Sequence, residues 1–410
     1  MLAEMSLVKQ NLENICSAVT ASIQQLSGSM TSYSRFVAAV TRLPDEILSE
    51  IFERACAPSD MSFTSSGHTS WRDASLTSHR LVCADVSQVC QRWRRVALAT
   101  PRLWTAFSLN VHKRTIWALP IPLEMIERAS SMPVFLSFTL RASDYENIPP
   151  LAITDGGSNI ALGKVKGVDV DAYSTMHISD ILDWLPAFPR LQRLRLKGVS
   201  TRNWPWDEPP SWLRRLTHLH LKLTDLRSAE TLLAAPGGAW DSLVSLTLED
   251  AGVLDPLPIL TSFPRLEELF LLSAMSLAAN PNQGGGGGGT QPPIVVHARL
   301  RRLSLCIRAR QRVAPFFAGM ALPALRRLGV CAETGEWMHA GALVLDALVE
   351  RSRCRLESLV LSAVHTPFAR ETRELAERFG ERWGVPDVRV NWGEREEMRY
   401  VEACKADWYS

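Results

Sequence analysis

Six times between residues 191 and 361 the chain spells L-x-x-L-x-L, beginning at Leu191, Leu216, Leu243, Leu266, Leu300 and Leu356. A chain this rich in leucine yields about one such match by chance. Two further copies carry valine, at Val165, Val168 and Val170 and at Leu325, Leu328 and Val330. Successive starts lie 26, 25, 27, 23, 34, 25 and 31 residues apart. Leucines alternating with other residues have the period of a strand buried on one side. A unit this short cannot bury its own apolar edge, so the copies must stack and the chain grows by repetition. The same alternation sends the residues beside the last two leucines to the opposite face. In two early copies these are Arg193, Arg195 and Lys197, then His218, His220 and Lys222. Four fixed cations and two imidazoles on neighbouring strands predict a basic patch for an acidic or phosphorylated protein, because Arg offers phosphate a fixed fork of donors. The alternative is a solvated charged face with no ligand. His218-x-His220 also suits the start of a metal site, but no third donor stands at ligand spacing and the neighbouring cations repel a metal, so no metal and no cofactor is expected.

Over the whole chain 45 Lys and Arg oppose 43 Asp and Glu, a formal charge of +2. That balance sets up no global field for nucleic acid or an anionic membrane, and neither is an expected partner. No run approaches the ~18 apolar residues of a membrane span. The first ten residues carry Glu4 and no Arg, and no signal-peptide core follows. The eight cysteines, at 16, 56, 83, 90, 306, 331, 354 and 404, show no C-x-x-C pair and no regular spacing. Free thiols in a reducing compartment fit that scatter, and the expected address is cytoplasm or nucleus. No G-x-S-x-G, H-E-x-x-H or Walker pattern occurs, so catalysis by this chain is not expected.

Upstream of the repeats, Met5, Val8, Leu12, Ile15, Val19, Ile23 and Leu26 paint one stripe on an amphipathic helix within residues 1–40, with Gly28 as a stop signal. The stripe serves either a short coiled coil or docking helix, or packing on its own domain. Leu43-Pro44-Asp45-Glu46-Ile47-Leu48 with Ile51-Phe52 then opens a helix, its proline in the first turn and its carboxylates beside the positive dipole end. Residues 57–78, with ten Ser or Thr in 22 positions, read as a loop. Helical spacing returns over Val86 to Leu98, where Val86, Val89, Cys90, Trp93, Val96 and Ala97 share a face. Pro101 and Leu103-Trp104 lead into a short strand from Ala106 to Leu109, and residues 133–140 read as another. After the last repeat, Phe368, Leu375, Phe379 and Trp383 suggest a helix and Val388 to Trp392 a strand, together capping the array. The glycine-rich tract at 278–293 is a flexible insertion.

The set Leu43-Pro44-Asp45-Glu46-Ile47-Leu48, Val86-Ser87-Gln88-Val89-Cys90-Gln91-Arg92-Trp93-Arg94 and Pro101-Arg102-Leu103-Trp104 resembles an F-box, the module by which substrate receptors of Skp-cullin-F-box ubiquitin ligases dock on the ligase adaptor. The period and strand motif of the repeats are similar to those of leucine-rich repeats. Helix, F-box and degenerate repeats together look most like the large F-box families of mushroom-forming fungi. The resemblance implies an α/β fold class: an all-helical F-box over 41–109 with a Ser/Thr-rich insertion, then an irregular leucine-rich-repeat solenoid or horseshoe over 130–392, and a tail at 393–410. It implies a non-catalytic substrate receptor that binds a Skp-type adaptor, and through it cullin, with Leu43, Pro44, Ile47, Leu48, Ile51, Val89 and Trp93 at the adaptor contact. Trp93 and Phe52 equally suit the unit's small core. The other reading is a repeat scaffold with no ligase association. Two departures stand out: the long 57–78 tract, and Val199, Thr224, Ala251, Ala274, Arg308, Glu333 and Val364 where standard repeats favour Asn or Cys.

Overall fold

The computed structural model describes residues 2–56, 82–111, 123–140, 162–177, 181, 185–200, 212–223, 240–249, 256–274, 294–307, 317, 319–332, 336–363 and 369–392. The tracts at 57–78 and 278–293 and the tail at 393–410 lie outside the described residues.

Helix α1 spans Leu2–Thr41 and passes through Gly28, correcting the expected stop. One interior glycine costs about 1 kcal/mol against alanine, too little to end so long a helix. Ile15, Val19, Ile23, Leu26 and Met30 along it are exposed, so this part of the stripe does not pack on the protein's own core. Next come α2 (Asp45–Cys56), α3 (Val82–Gln88) and α4 (Gln91–Leu98), then a 3-10 turn at Pro101–Trp104. The single helix read over Val86 to Leu98 is thus broken. Cys90 sits in an extended conformation between α3 and α4, and its Sγ accepts a hydrogen bond from the Trp93 N–H as the cap of α4. The break carries Val89 and Cys90 off the shared face: both are exposed, whereas Val86, Val96 and Ala97 are buried.

Among the described residues, eleven strands then make one all-parallel sheet whose order follows the chain. They are β1 (Ala106–Val111), β2 (Val134–Leu140), β3 (Val165–His177), β4 (Arg193–Ser200), β5 (His218–Leu223), β6 (Ser245–Glu249), β7 (Glu268–Ala274), β9 (Arg302–Ile307), β11 (Arg327–Ala332), β12 (Ser358–Ala363) and β13 (Asp387–Trp392). Strands β8 (Val295–Val296) and β10 (Met320–Ala321) form a separate parallel pair. Every copy of the repeat supplies a strand, and the register stacks equivalent leucines: Leu194 faces Leu219, then Leu246, Leu269, Leu303, Leu328 and Leu359 in turn. Helix α5 (Leu123–Arg128) precedes β2, and α6 (Pro256–Ser262) precedes β7. The 31-residue interval holds a helix the pattern did not show, α7 (Glu336–Ser352), while α8 (Ala369–Trp383) and β13 close the array as expected. At Gly198, φ is 68°, and a Cβ there would strike the Ala172 carbonyl oxygen on β3, so the β3–β4 register shift requires glycine.

A second regularity runs along the edge where the strands begin. The residue after the first leucine of each repeat donates its N–H to the carbonyl of its counterpart one repeat earlier: Gln192 to Lys166, Thr217 to Gln192, Val244 to Thr217, Glu267 to Val244, Arg301 to Glu267, Arg326 to Arg301 and Glu357 to Arg326. Side chains at this level therefore stack one strand spacing apart, about 4.8 Å. One apolar core runs without interruption from Leu48 and Phe52 of α2 through Trp104 and Ile126 and along the leucine rows to Phe379 and Val385. A smaller apolar cluster, Phe270, Leu272, Cys306 and Cys331, lies on the other side of the sheet.

Candidate partner-binding site

Two regions carry the residues singled out above. The first is the helical unit of α2 to α4. Pro44 accepts the first helical hydrogen bond of α2, from Leu48 N at 3.1 Å, so the proline sits just outside the helix and its fixed φ sets the entry. Arg92 of α4 then ties this entry down. Its guanidinium donates to Thr41 O at 2.7 Å, to Leu43 O and to Asp45 Oδ1 at 2.9 Å, while Arg95 reaches Asp45 Oδ2 at 3.0 Å. The hydrogen bond from Arg92 holds the Asp45 carboxyl below the usual carboxylate range, with Arg95 adding to it. Asp45 also faces the positive end of α2.

With its entry so fixed, α2 turns Leu48 and Phe52, each 1% exposed, into the core. It turns Ile47 and Ile51, each more than 40% exposed, outward. These two stand one helical turn apart on one face. Pro44 is exposed too, Leu43 is partly buried against the core, and Val89 projects from the α3–α4 break at 60% exposure. Trp93 is half-buried, its ring 4.9 Å from that of Phe52. The arrangement can offer apolar side chains to a partner helix or groove without opening its own core. Arg92 escaped the sequence reading, although an arginine beside Trp93 in a helix packed on the Leu-Pro entry is the signal that marks it.

The second region is the sheet face carrying Arg193, Arg195, Lys197, His218, His220 and Lys222. The structure brings all six onto β4 and β5 in register, but not as an open basic patch. Arg195 is 3% exposed and His220 is 1% exposed. Arg195 lies 3.7 Å from Asp169 Oδ2 and Lys197 lies 3.8 Å from Asp171 Oδ2, both on β3. On the other side, Glu249 of β6 meets His220 Nε2 at 2.9 Å and Lys222 Nζ at 3.9 Å. Burial, together with nearby Arg195, pushes the Lys197 ammonium down, against the pull of Asp169, Asp171 and Glu249. Burial also lowers Arg193, whose guanidinium sits over the Phe135 ring at 5.7 Å from its centre. His218, desolvated and beside Arg193, is pushed down to about 4, and its Nδ1 lies 2.8 Å from Thr217 Oγ1.

The physical reason is pairing across strands. Carboxylates on the two flanking strands stand beside Arg195, Lys197, His220 and Lys222, which lets Arg195, His220 and Glu249 be buried while Lys222 stays exposed. Asp169 and Asp171 were legible, because they flank Val170 as Arg195 and Lys197 flank Leu196. Among the described residues no three metal-donor side chains converge, and no helix is long and apolar enough to cross a membrane.

Comparison with known families places the helical unit. Residues 40–110 match the family model described as F-box-like. The match takes in α2, α3, α4, the 3-10 turn and most of β1. No curated protein matches the chain.

Proposed function

We propose that the F-box-like domain at residues 40–110 makes this protein the substrate-recognition subunit of a Skp-cullin-F-box ubiquitin ligase. F-box domains bind Skp1-type adaptors, and the observation that carries the proposal is the division of labour on α2. Leu48 and Phe52 close the core while Ile47 and Ile51 stay outside it. Leu43, Pro44, Ile47, Ile51 and Val89 dock on the adaptor, with Trp93 behind them supporting the surface and Leu48 holding α2 in place. The stacked parallel strands, in chain order with leucines in register, support a leucine-rich-repeat solenoid that holds the protein substrate. No group on this chain need act as acid, base or nucleophile. Its contribution is proximity: tethering raises the effective concentration of substrate lysines beside a ubiquitin thioester carried by the rest of the complex.

A rival reading has one observation in its favour. Strand β1 lies within the F-box-like match and pairs with β2, so the helical unit also caps the sheet. If capping is its whole role, no adaptor binds.

Co-purification with a Skp-type adaptor separates the two. The intact protein is expected to capture the adaptor. Ile47→Asp with Ile51→Asp is expected to lose it while keeping the wild-type melting temperature, since both side chains already face water. Failure of the intact protein to bind purified adaptor leaves the capping role alone.

A further inference from the structure

Every residue of α1 from Asn14 to Met30 is exposed. Among them Ile15, Val19, Ile23, Leu26 and Met30 are 52–71% exposed and lie along one side of the helix. Six of these seventeen residues are Ser, Thr or Gly. The Thr20 and Ser22 hydroxyls donate back to the Cys16 and Ala18 carbonyls, at 2.8 and 3.0 Å. Residues of this kind hold a helix poorly by themselves. From Asn14 to Ser34 the chain carries no charge at all, so no ion pair one turn apart supports this stretch either. A helix of such composition owes its stability to packing of its apolar face. The stripe therefore needs a cover, and the protein's own core does not supply it.

Since α1 runs on through Gly28, the spacing is not cut at Leu26. It starts at Met5, Val8 and Leu12, and after Met30 the sequence continues it at Tyr33, Val37 and Val40. Ten steps of three or four residues lead from Met5 to Val40, 3.5 residues a step on average. That is the period of the seam between two coiled helices, and it is narrower than the face a helix lays on a globular core. Two successive steps of four, on either side of Val19, form a stutter, which unwinds such a seam locally without ending it. Five heptads exceed the three to four that a coiled coil needs.

We infer that α1 pairs along this stripe with α1 of a second copy of the chain, as a two-stranded coiled coil. The missing charge identifies the occupant. Different chains select each other through charges beside the seam, and α1 offers none there for another chain to read. A second copy meets no like charge along the whole uncharged stretch. Membrane surfaces draw amphipathic helices through Lys and Arg on the polar side, which this stretch also lacks. Ala18, Ser22 and Ser29 beside the stripe are small, so two such backbones can approach closely. At roughly 100 Å² for each side chain, the five exposed ones of two copies bury about 1,000 Å², near the ~1,200 Å² at which specific interfaces begin, before the rest of the stripe is counted. Each pair then carries two helical units and two sheets, so a partner with two sites meets the second at raised effective concentration. None of this depends on the ligase reading.

The test is sedimentation equilibrium of the full-length protein. Twice the 45.6 kDa of one copy is expected. Val19→Glu with Ile23→Glu should return the mass of a single copy while the sheet melts as before, because both side chains face water in the lone chain. Ser17→Glu with Gln24→Glu adds the same charge on the opposite side of α1 and should leave the pair intact. Two differently tagged wild-type copies, expressed together, should co-purify, and two copies of the stripe variant should not. A wild-type protein that keeps the mass of one copy up to roughly 100 μM overturns the inference. So does a stripe variant that stays paired, or a wild-type mass of three copies or more. Lowered melting of the sheet in the stripe variant also overturns it, by showing that the stripe packs on its own chain. Pairing is read with no adaptor present, so its failure leaves the receptor reading untouched, and adaptor capture by the stripe variant scores that reading alone.

Discussion

Glu249 receives two side chains from β5, His220 on one oxygen and Lys222 near the other, and is itself 5% exposed. A buried group stripped of its partner costs about 1–3 kcal/mol. Glu249→Ala should therefore destabilise the protein by about 2 kcal/mol in urea unfolding, and an unchanged midpoint would show that the pair carries no stability. His218 gives a separate pH signature. Its folded pKa, about 4, lies below the ordinary 6.5. Between those values the unfolded chain binds the extra proton, so the contribution is full above 6.5 and drains away as pH falls towards 4. His218→Gln should flatten that stretch of the stability profile, and NMR of the imidazole in the folded protein should show no titration near pH 6.5.

At the scale of elements, α1 and α4 illustrate how local signals compete. Helix α1 runs through Gly28, and a Cβ added there meets nothing within 4 Å. Gly28→Ala should thus stabilise the helix by about 1 kcal/mol, read as raised helical circular dichroism on heating. No change would mean that the glycine is packed against something. The break between α3 and α4 was not legible from periodicity, because a face at helical spacing continues in sequence whether or not the backbone does. The extended Cys90, whose sulfur caps Trp93 N, decided it. On α2 the 3.6 period correctly grouped Ile47, Leu48, Ile51 and Phe52. It could not separate the pair facing the core from the pair facing water, because that depends on where α3 and α4 pack.

For the molecule as a whole, the helical unit and the sheet share one core. Trp104 is fully buried, donates its indole N–H to Ala97 O at 2.9 Å, and has the Arg128 guanidinium 4.9 Å above its ring. It therefore joins α4 to the segment that leads into the sheet. Trp104→Ala should cost about 3–5 kcal/mol and lower the melting of both parts together, followed by tryptophan fluorescence and far-ultraviolet dichroism. Separate melting, with the sheet unaffected, would divide what the structure joins. Stability propagates between neighbours in stacked repeats, so damage at this junction is expected to be felt most strongly in the first strands.

The sequence by itself determined that leucines spaced two and three apart would make strands and that the copies would stack, because a strand's side-chain period is local and a lone repeat cannot bury its edge. It also marked the Leu-Pro entry and the apolar residues of the helix that follows as the place to look for a partner. Only the tertiary structure decided which charges meet. Asp169, Arg195, His220 and Glu249 stand on four successive strands far apart in the chain. Their meeting follows from register, which composition and spacing do not encode.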